Sequence, residues 1–449
     1  LSVPEETRER TKELNIGYDR ADRTWEIIVK YHGNLESTLN EQFPGVSGTY
    51  LLSSFAILRV PERDVPGVIA LPEIEYAEKP KRLFFALNRA RAASCFLPVQ
   101  TGTDGLTGKG VLVAVIDSGI DIFHEDFRNE DGTTRILYLD DQISGKTYER
   151  REINEILRGE NKSGGTGGLS LDTSGHGTAV AAIAAGNGRE SGGVYRGVAY
   201  ESELIIVKLG TPPADSFPHT TQLMEALDFV IKQAASLNRP AAVNLSFGNT
   251  YGSHDGTSLL ETFMNEAANY SRNVIVAGTG NEGAAAGHTS GRLTEGRFED
   301  IELSAAPFET SFSVQLWKSY ADQFTITIIA PDGRSIGPLE ERLGPQRAEY
   351  GKTRILIYYG KPSPYSRAQE VFFDFIPLGD YVDSGIWTFR LTPVRLVTGV
   401  YDFWLPSGRI LNPSTRFLRP VPDTTLTIPS TAAGIISVGA YNDSTLAYA

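Results

Sequence analysis

The chain has 449 residues, a formal net charge of -13, and is 41% hydrophobic and 22% charged. That length supports two or three domains with separate cores. The acidity argues against the basic face of a nucleic-acid binder, no apolar run is long enough to span a bilayer, and the single cysteine, Cys95, excludes an intrachain disulfide framework.

Residues 1–94 read as a compact α+β unit. Thr24–Lys30 and Tyr50–Arg59 predict strands, a helix is expected near Pro61, and Ile74–Glu78 predicts another strand. From 95 to 290 the pattern becomes apolar strands alternating with helices. The strands are Val111–Asp117, Leu204–Leu209, Ala242–Phe247 and Asn273–Gly278, and the helices lie over Gly177–Ala185 and Leu223–Ala235. Near-continuous apolar strands with helical crossovers predict a parallel sheet covered on both faces, with functional groups at the carboxyl ends of its strands. Over 291–424 the helices vanish. Strands at Phe312–Leu316, Phe324–Ala330, Arg354–Tyr359, Glu370–Ile376, Ile386–Leu391 and Val400–Leu405, split by turn residues, predict an inserted β-sandwich of jelly-roll type. Residues 425–449 return to the earlier style, with Pro429-Ser-Thr-Ala-Ala-Gly434 leading into an apolar strand.

Two strings carry chemistry. Val113-Ala-Val-Ile-Asp117 delivers a carboxylate at the end of a buried strand, and Ser174-Gly-His176-Gly-Thr178 sets an imidazole between glycines where a helix begins. A serine hydroxyl is a weak nucleophile at neutral pH. Amide hydrolysis by it needs a base such as His176 and a carboxylate such as Asp117 to orient that base. The usual setting of the serine, Gly-Thr-Ser followed by Met or Phe, Ala and Pro, occurs nowhere in the chain. Gly256-Thr-Ser258 is followed by Leu-Leu-Glu261 and reads as a capping box that opens a helix.

Asn281, in Ala277-Gly-Thr-Gly-Asn281, offers a side-chain amide to an oxyanion. Gly278, Gly280 and Gly283 also fit a dinucleotide fingerprint, but a polar loop follows where that motif needs a helix. His124, in Asp121-Ile-Phe-His124, lacks a partner set with metal-ligand spacing, so no metal site is expected. His32, His219, His254 and His288 carry no motif.

Together these strings resemble the subtilase family of serine peptidases over nearly the whole chain. Gly197-Val-Ala199, Leu204-Ile-Ile-Val-Lys208 and Asn244-Leu-Ser-Phe-Gly248 match its framework strands. The resemblance implies that Asp117 is the catalytic aspartate, His176 the general base and Asn281 the oxyanion-hole residue. It also implies that a protein or peptide substrate lies against Ser246, Phe247 and Gly248, against Leu209 and Gly210, and beside Gly278, Thr279 and Gly280. Residues 1–94 resemble the family's propeptide, a chaperone and inhibitor that occupies the active-site cleft until self-cleavage, expected near Arg91–Cys95. The loop Asn187–Gly193 departs from the asparagine-rich calcium loop of bacterial subtilisins, so neither calcium nor another cofactor is implied.

The jelly-roll insertion, with Asn249–Gly256, resembles the Csp germination proteases of spore-forming clostridia, which cleave the precursor of a cortex-degrading hydrolase. Some members are pseudoproteases, so the competing reading is a catalytically inactive homologue that binds a partner. The chain starts at Leu1 and stops at Ala449 just after a strand-like segment. Both ends read as cut, with the serine expected beyond Ala449 and a signal peptide possible before Leu1. A spore or extracellular bacterial location is expected.

Overall fold

The structure, a computed structural model, describes residues 15–80, 84–85, 99–100, 105–160, 165–210, 218–361, 363–407, 410–442 and 447–448. At its centre, every residue of the strand Leu112–Asp117 is buried. Leu112, Ala114 and Ile116 face one core, and Val113 and Val115 face the other. Such a strand needs cover on both sides, which a parallel sheet with helical crossovers provides.

Its seven-stranded sheet runs in the order Ile436–Val438, Asn273–Gly278, Ala241–Leu245, Leu112–Asp117, Glu203–Lys208, Ile136–Asp141, Lys146–Glu149. All pairs are parallel except the last, an antiparallel hairpin. Helices Thr220–Ser236 and Leu259–Ala268 bury their apolar sides on one face. His176–Ala185 and Arg150–Leu157 cover the other. The capping box at Ser258 is present: its side chain accepts from Glu261 N, and the Glu261 side chain returns to the cap N–H. After Asn273–Gly278 the chain makes a short turn at Glu282–Ala284 and enters a strand, so no crossover helix follows the glycines.

The N-terminal unit is a five-stranded antiparallel sheet with helix Leu35–Gln42 packed on one face through Trp25, Ile27, Val29, Leu35 and Leu39. One expectation needs correction. Tyr50–Arg59 is not a single strand: Ser53 and Ser54 take φ of 54° and 58°, and Leu51 N donates to Phe55 O at 2.8 Å. That left-handed turn folds the segment into the hairpin Ser47–Tyr50 and Phe55–Pro61. The helix expected near Pro61 is a 3-10 turn, Glu62–Asp64, leading into the short helix Val65–Val68.

The second face of this sheet is also apolar. Ile28, Phe55 and Ile57 pack into the core of the seven-stranded sheet, with the Phe55 ring edge-on to Phe263 at 5.4 Å. Polar contacts frame the seam: Thr221 Oγ1 donates to Glu26 at 2.5 Å, Leu52 N to Asp228 at 3.0 Å, and Leu259 N to Glu78 at 3.2 Å.

The insertion is a β-sandwich of jelly-roll type whose chain alternates between a six-stranded and a five-stranded antiparallel sheet around a core rich in phenylalanine. Its first strand, His288–Arg292, begins slightly before the boundary drawn at 291 and pairs with Val400–Trp404. Trp404 stacks with two imidazoles, His254 at 4.3 Å and His288 at 4.8 Å, and the contact with His254 seats the sandwich on a loop of the seven-stranded sheet's unit.

Candidate active site

Parallel strands place their carboxyl ends along one edge, and this edge gathers the chemistry. Asp117 ends its strand fully buried, with its N-terminal neighbour Ile116 level with Leu245, which in turn is level with Ala277. Ser246 and the Gly278–Asn281 loop therefore emerge beside Asp117, the loop two strands or about 10 Å across.

His176 opens the helix His176–Ala185 after Gly175, whose φ of 69° turns the chain into it. Its Nδ1 lies 2.7 Å from Asp117 Oδ1. A buried ionised carboxylate only accepts, so Nδ1 carries the proton and Nε2 is left as the basic nitrogen. Asp117 Oδ1 also accepts from Ser118 N at 2.7 Å. A Cβ on Gly177 would lie 2.2 Å from Gly119 O, so only glycine lets the helix start this close to the Asp117 strand.

Sequence reasoning missed the groups that fix this pair. Asp172 accepts from Gly175 N (3.1 Å), Thr178 N (2.9 Å), Thr178 Oγ1 (2.6 Å) and Ser118 Oγ (2.8 Å). Burial pushes its carboxyl up, but the bonds from Thr178, Ser118 and Gly175 outweigh that and hold it below its ordinary value. Lys208, level with Asp117 on the adjacent strand, donates to Ser118 O at 2.7 Å and Leu171 O at 2.9 Å. Burial lowers its pKa, against the pull of Asp172 and Asp141. The available signals were an aspartate four residues before His176 and a lone cation ending an apolar strand.

Asn281 is exposed on its loop, and its side chain makes no capping bond. Thr279 is pinned on both sides, its N–H donating to Val438 O at 3.0 Å and its carbonyl accepting from Thr427 N at 2.9 Å. Gly280 takes φ of 82°. Leu209 and Gly210 reach the same edge, but Leu209 N is bonded to Asp117 O (2.8 Å) and Gly210 N to Gln142 Oε1 (3.4 Å). Those two N–H groups are therefore engaged within the protein.

The segment Phe247–Gly248 pairs antiparallel with Phe84–Phe85 of the N-terminal region, Phe247 opposite Phe85 and Gly248 opposite Phe84. Edge pairing of this kind is how an extended peptide is held by its main chain. The cleavage region expected at Arg91–Cys95 lies outside the described residues. Among the described residues no cluster of three or more His, Cys, Asp or Glu side chains is placed to hold a metal. His124 caps a 3-10 turn by accepting from Asp126 N at 3.2 Å.

Comparison with known proteins agrees with the fold and the family resemblance. Residues 108–311 match the subtilase family, and residues 1–81 match the Csp protease B prodomain. The chain belongs to the subtilase family of serine proteases and carries a prodomain. It is similar to the solved structure of the Clostridium perfringens CspB protease, with 35% identity, a TM-score of 0.71, and coverage of 79% of this chain and 73% of that one. It is 30% identical over 224 residues to a subtilisin of Bacillus sp. (strain TA39), covering 47% of this chain and 45% of the relative. Over 179 residues it is 28% identical to the major intracellular serine protease of Bacillus subtilis, covering 40% and 45% respectively. The chain thus spans about half the length of these curated relatives.

Proposed function

We propose that this chain is part of a self-processing serine endopeptidase of spore germination. Asp117 orients His176, and His176 takes the proton of a serine supplied from outside these 449 residues. Asn281 donates its amide to the oxyanion of the tetrahedral intermediate. The observation that carries this reading is the His176–Asp117 pair at 2.7 Å, on the edge where the N-terminal region lies strand-on-strand against Phe247–Gly248.

The direction of that pairing bears on self-cleavage. The strand Phe84–Phe85 is antiparallel to Phe247–Gly248, and its direction points toward the Asp117 end of the sheet. The scissile bond then falls on the carboxyl side of Phe85. The resemblance to the Csp germination proteases, supported by the 35% identity to the CspB protease, favours as substrate the precursor of a cortex-degrading hydrolase, and a spore or extracellular location.

A fluorophosphonate probe, which reacts with an activated serine, tests the chemistry on the full-length protein. Labelling of one serine, lost in His176→Ala and Asp117→Asn, is the expected result. Labelling that survives both substitutions, or its absence from the wild type, would overturn the reading. Absence would favour a homologue that acts by binding.

A further inference from the structure

At one loop the insertion reaches beyond its own sandwich. Tyr365 lies between the strands Thr353–Tyr359 and Ala368–Pro377 and is half-buried. Its ring packs with the core shared by the prodomain and the seven-stranded sheet, not with the core of the insertion. It meets Tyr76 of the prodomain edge-on, with centroids 5.7 Å apart, and its hydroxyl donates to Glu75 Oε2 at 3.4 Å. Burial, then the charge of Glu75, push the phenol up to about 12, so it remains a donor at neutral pH.

The loop is fixed in place. Ser363 Oγ accepts from Tyr365 N at 3.1 Å, and Ser366 Oγ accepts from Ala368 N at 3.0 Å while donating to Asp255 Oδ2 at 2.9 Å. Asp255 lies just before the helix Leu259–Ala268, whose Leu259 N donates to Glu78 of the prodomain. Insertion, catalytic unit and prodomain therefore converge at the start of that helix. The prodomain strand held there, Ile74–Glu78, pairs only with Thr24–Tyr31 among the described residues, so its other edge is open to the clasping loop. Next in the chain comes Phe84–Phe85, the strand paired with Phe247–Gly248.

We propose that the insertion is a clasp on the prodomain: Tyr365 grips the strand Ile74–Glu78 and thereby keeps Phe84–Phe85 in the cleft after the chain is cut. This rests on the proteolytic reading above. An edge-on aromatic pair is worth about a factor of two to ten in an equilibrium, and burial of the rest of the ring adds to it. The prodomain face carrying Ile28, Phe55 and Ile57 supplies the remaining hold, so losing the clasp weakens retention without abolishing it.

The test lets the full-length protein process itself, holds it by a tag on the catalytic unit, and follows release of the prodomain by intact mass. Tyr365→Ala is expected to speed release about tenfold, and Tyr365→Phe, which keeps the ring, to stay within about twofold of wild type. Tyr76→Ala should also speed release, and the double variant should be no faster than the faster single one, because both remove the same contact. Release from Tyr365→Ala at the wild-type rate, or effects of the two substitutions that multiply, overturns the proposal and leaves self-processing standing. If the wild type does not process itself, the protease reading has failed and the clasp is read on the uncut chain by hydrogen exchange. Faster exchange of the Ile74–Glu78 amides in Tyr365→Ala, with those of Thr353–Tyr359 unchanged, supports it. Unchanged exchange at Ile74–Glu78 overturns it. Should Tyr365→Ala disturb the sandwich itself, Tyr76→Ala reads the same contact from the prodomain side by the same criteria.

Discussion

Thr178 donates to Asp172 twice, from its backbone N–H at 2.9 Å and its hydroxyl at 2.6 Å, and this clamps the first turn of the helix that begins with His176. Asp172 also holds Gly175 N and Ser118 Oγ, the latter adjacent to Asp117. One carboxylate therefore ties the imidazole's helix to the strand end that carries its partner.

Replacing Asp172 by alanine is expected to cost about 1–2 kcal/mol, the upper part of the range for a lost helix cap. Chemical denaturation would read that loss. A change under about 0.5 kcal/mol, the level of an ordinary surface substitution, would contradict it.

Gly177→Ala tests the close approach of helix and strand. With a Cβ driven to 2.2 Å from Gly119 O, the helix must shift, and overpacking of this kind costs about 1–3 kcal/mol. An alanine variant with an unchanged melting temperature would contradict the packing described.

His254 sets a stability term on the acid side. Burial pushes its imidazole down from 6.5 to about 4, while carbonyls of Thr250 and Leu426 at its two nitrogens pull the other way. The folded pKa lies below the unfolded one, so the unfolded chain binds more protons between those values. Stability from this group is full above 6.5 and is lost as pH falls toward 4. His254→Phe, which keeps a ring on Trp404, should flatten the fall in melting temperature across that window. An identical pH slope in wild type and variant would count against it.

Glu225 acts with the opposite sign at the seam between the prodomain and helix Thr220–Ser236. Burial, then the charges of Glu26 and Asp140, push its carboxyl from 4.5 up to about 7. The favourable contribution is present below 4.5 and is lost as pH rises through about 7. Glu225→Gln should therefore raise the melting temperature at pH 8 more than at pH 4. An equal effect at both pH values would contradict the assignment.

The parts legible in the sequence were those with unbroken local patterns. Leu112–Asp117 announces itself as a doubly covered strand, and the glycines around His176 mark a close approach that only the strand–helix contact explains. The sandwich strands Glu299–Ala305 and Pro345–Tyr350 were missed because their outer faces are solvated. Charged residues interrupt the apolar run in both, and half-exposed burial follows. Tyr50–Arg59 was read as one strand because neither Ser53 nor Ser54 advertises a left-handed turn as glycine would. Asp172 acts through bonds to residues on two other segments, and Thr427 reaches the site across the insertion. Neither relationship has a local sequence period.

Self-cleavage tests the central claim, that His176 and Asp117 form the working base of a protease with its prodomain in the cleft. The measurement is the intact mass of the purified full-length protein beside its His176→Ala variant. The expected result is two fragments from the wild type, separated on the carboxyl side of Phe85, and a single unprocessed mass from the variant. A wild type that stays whole, or a variant cut at the same bond, would contradict it.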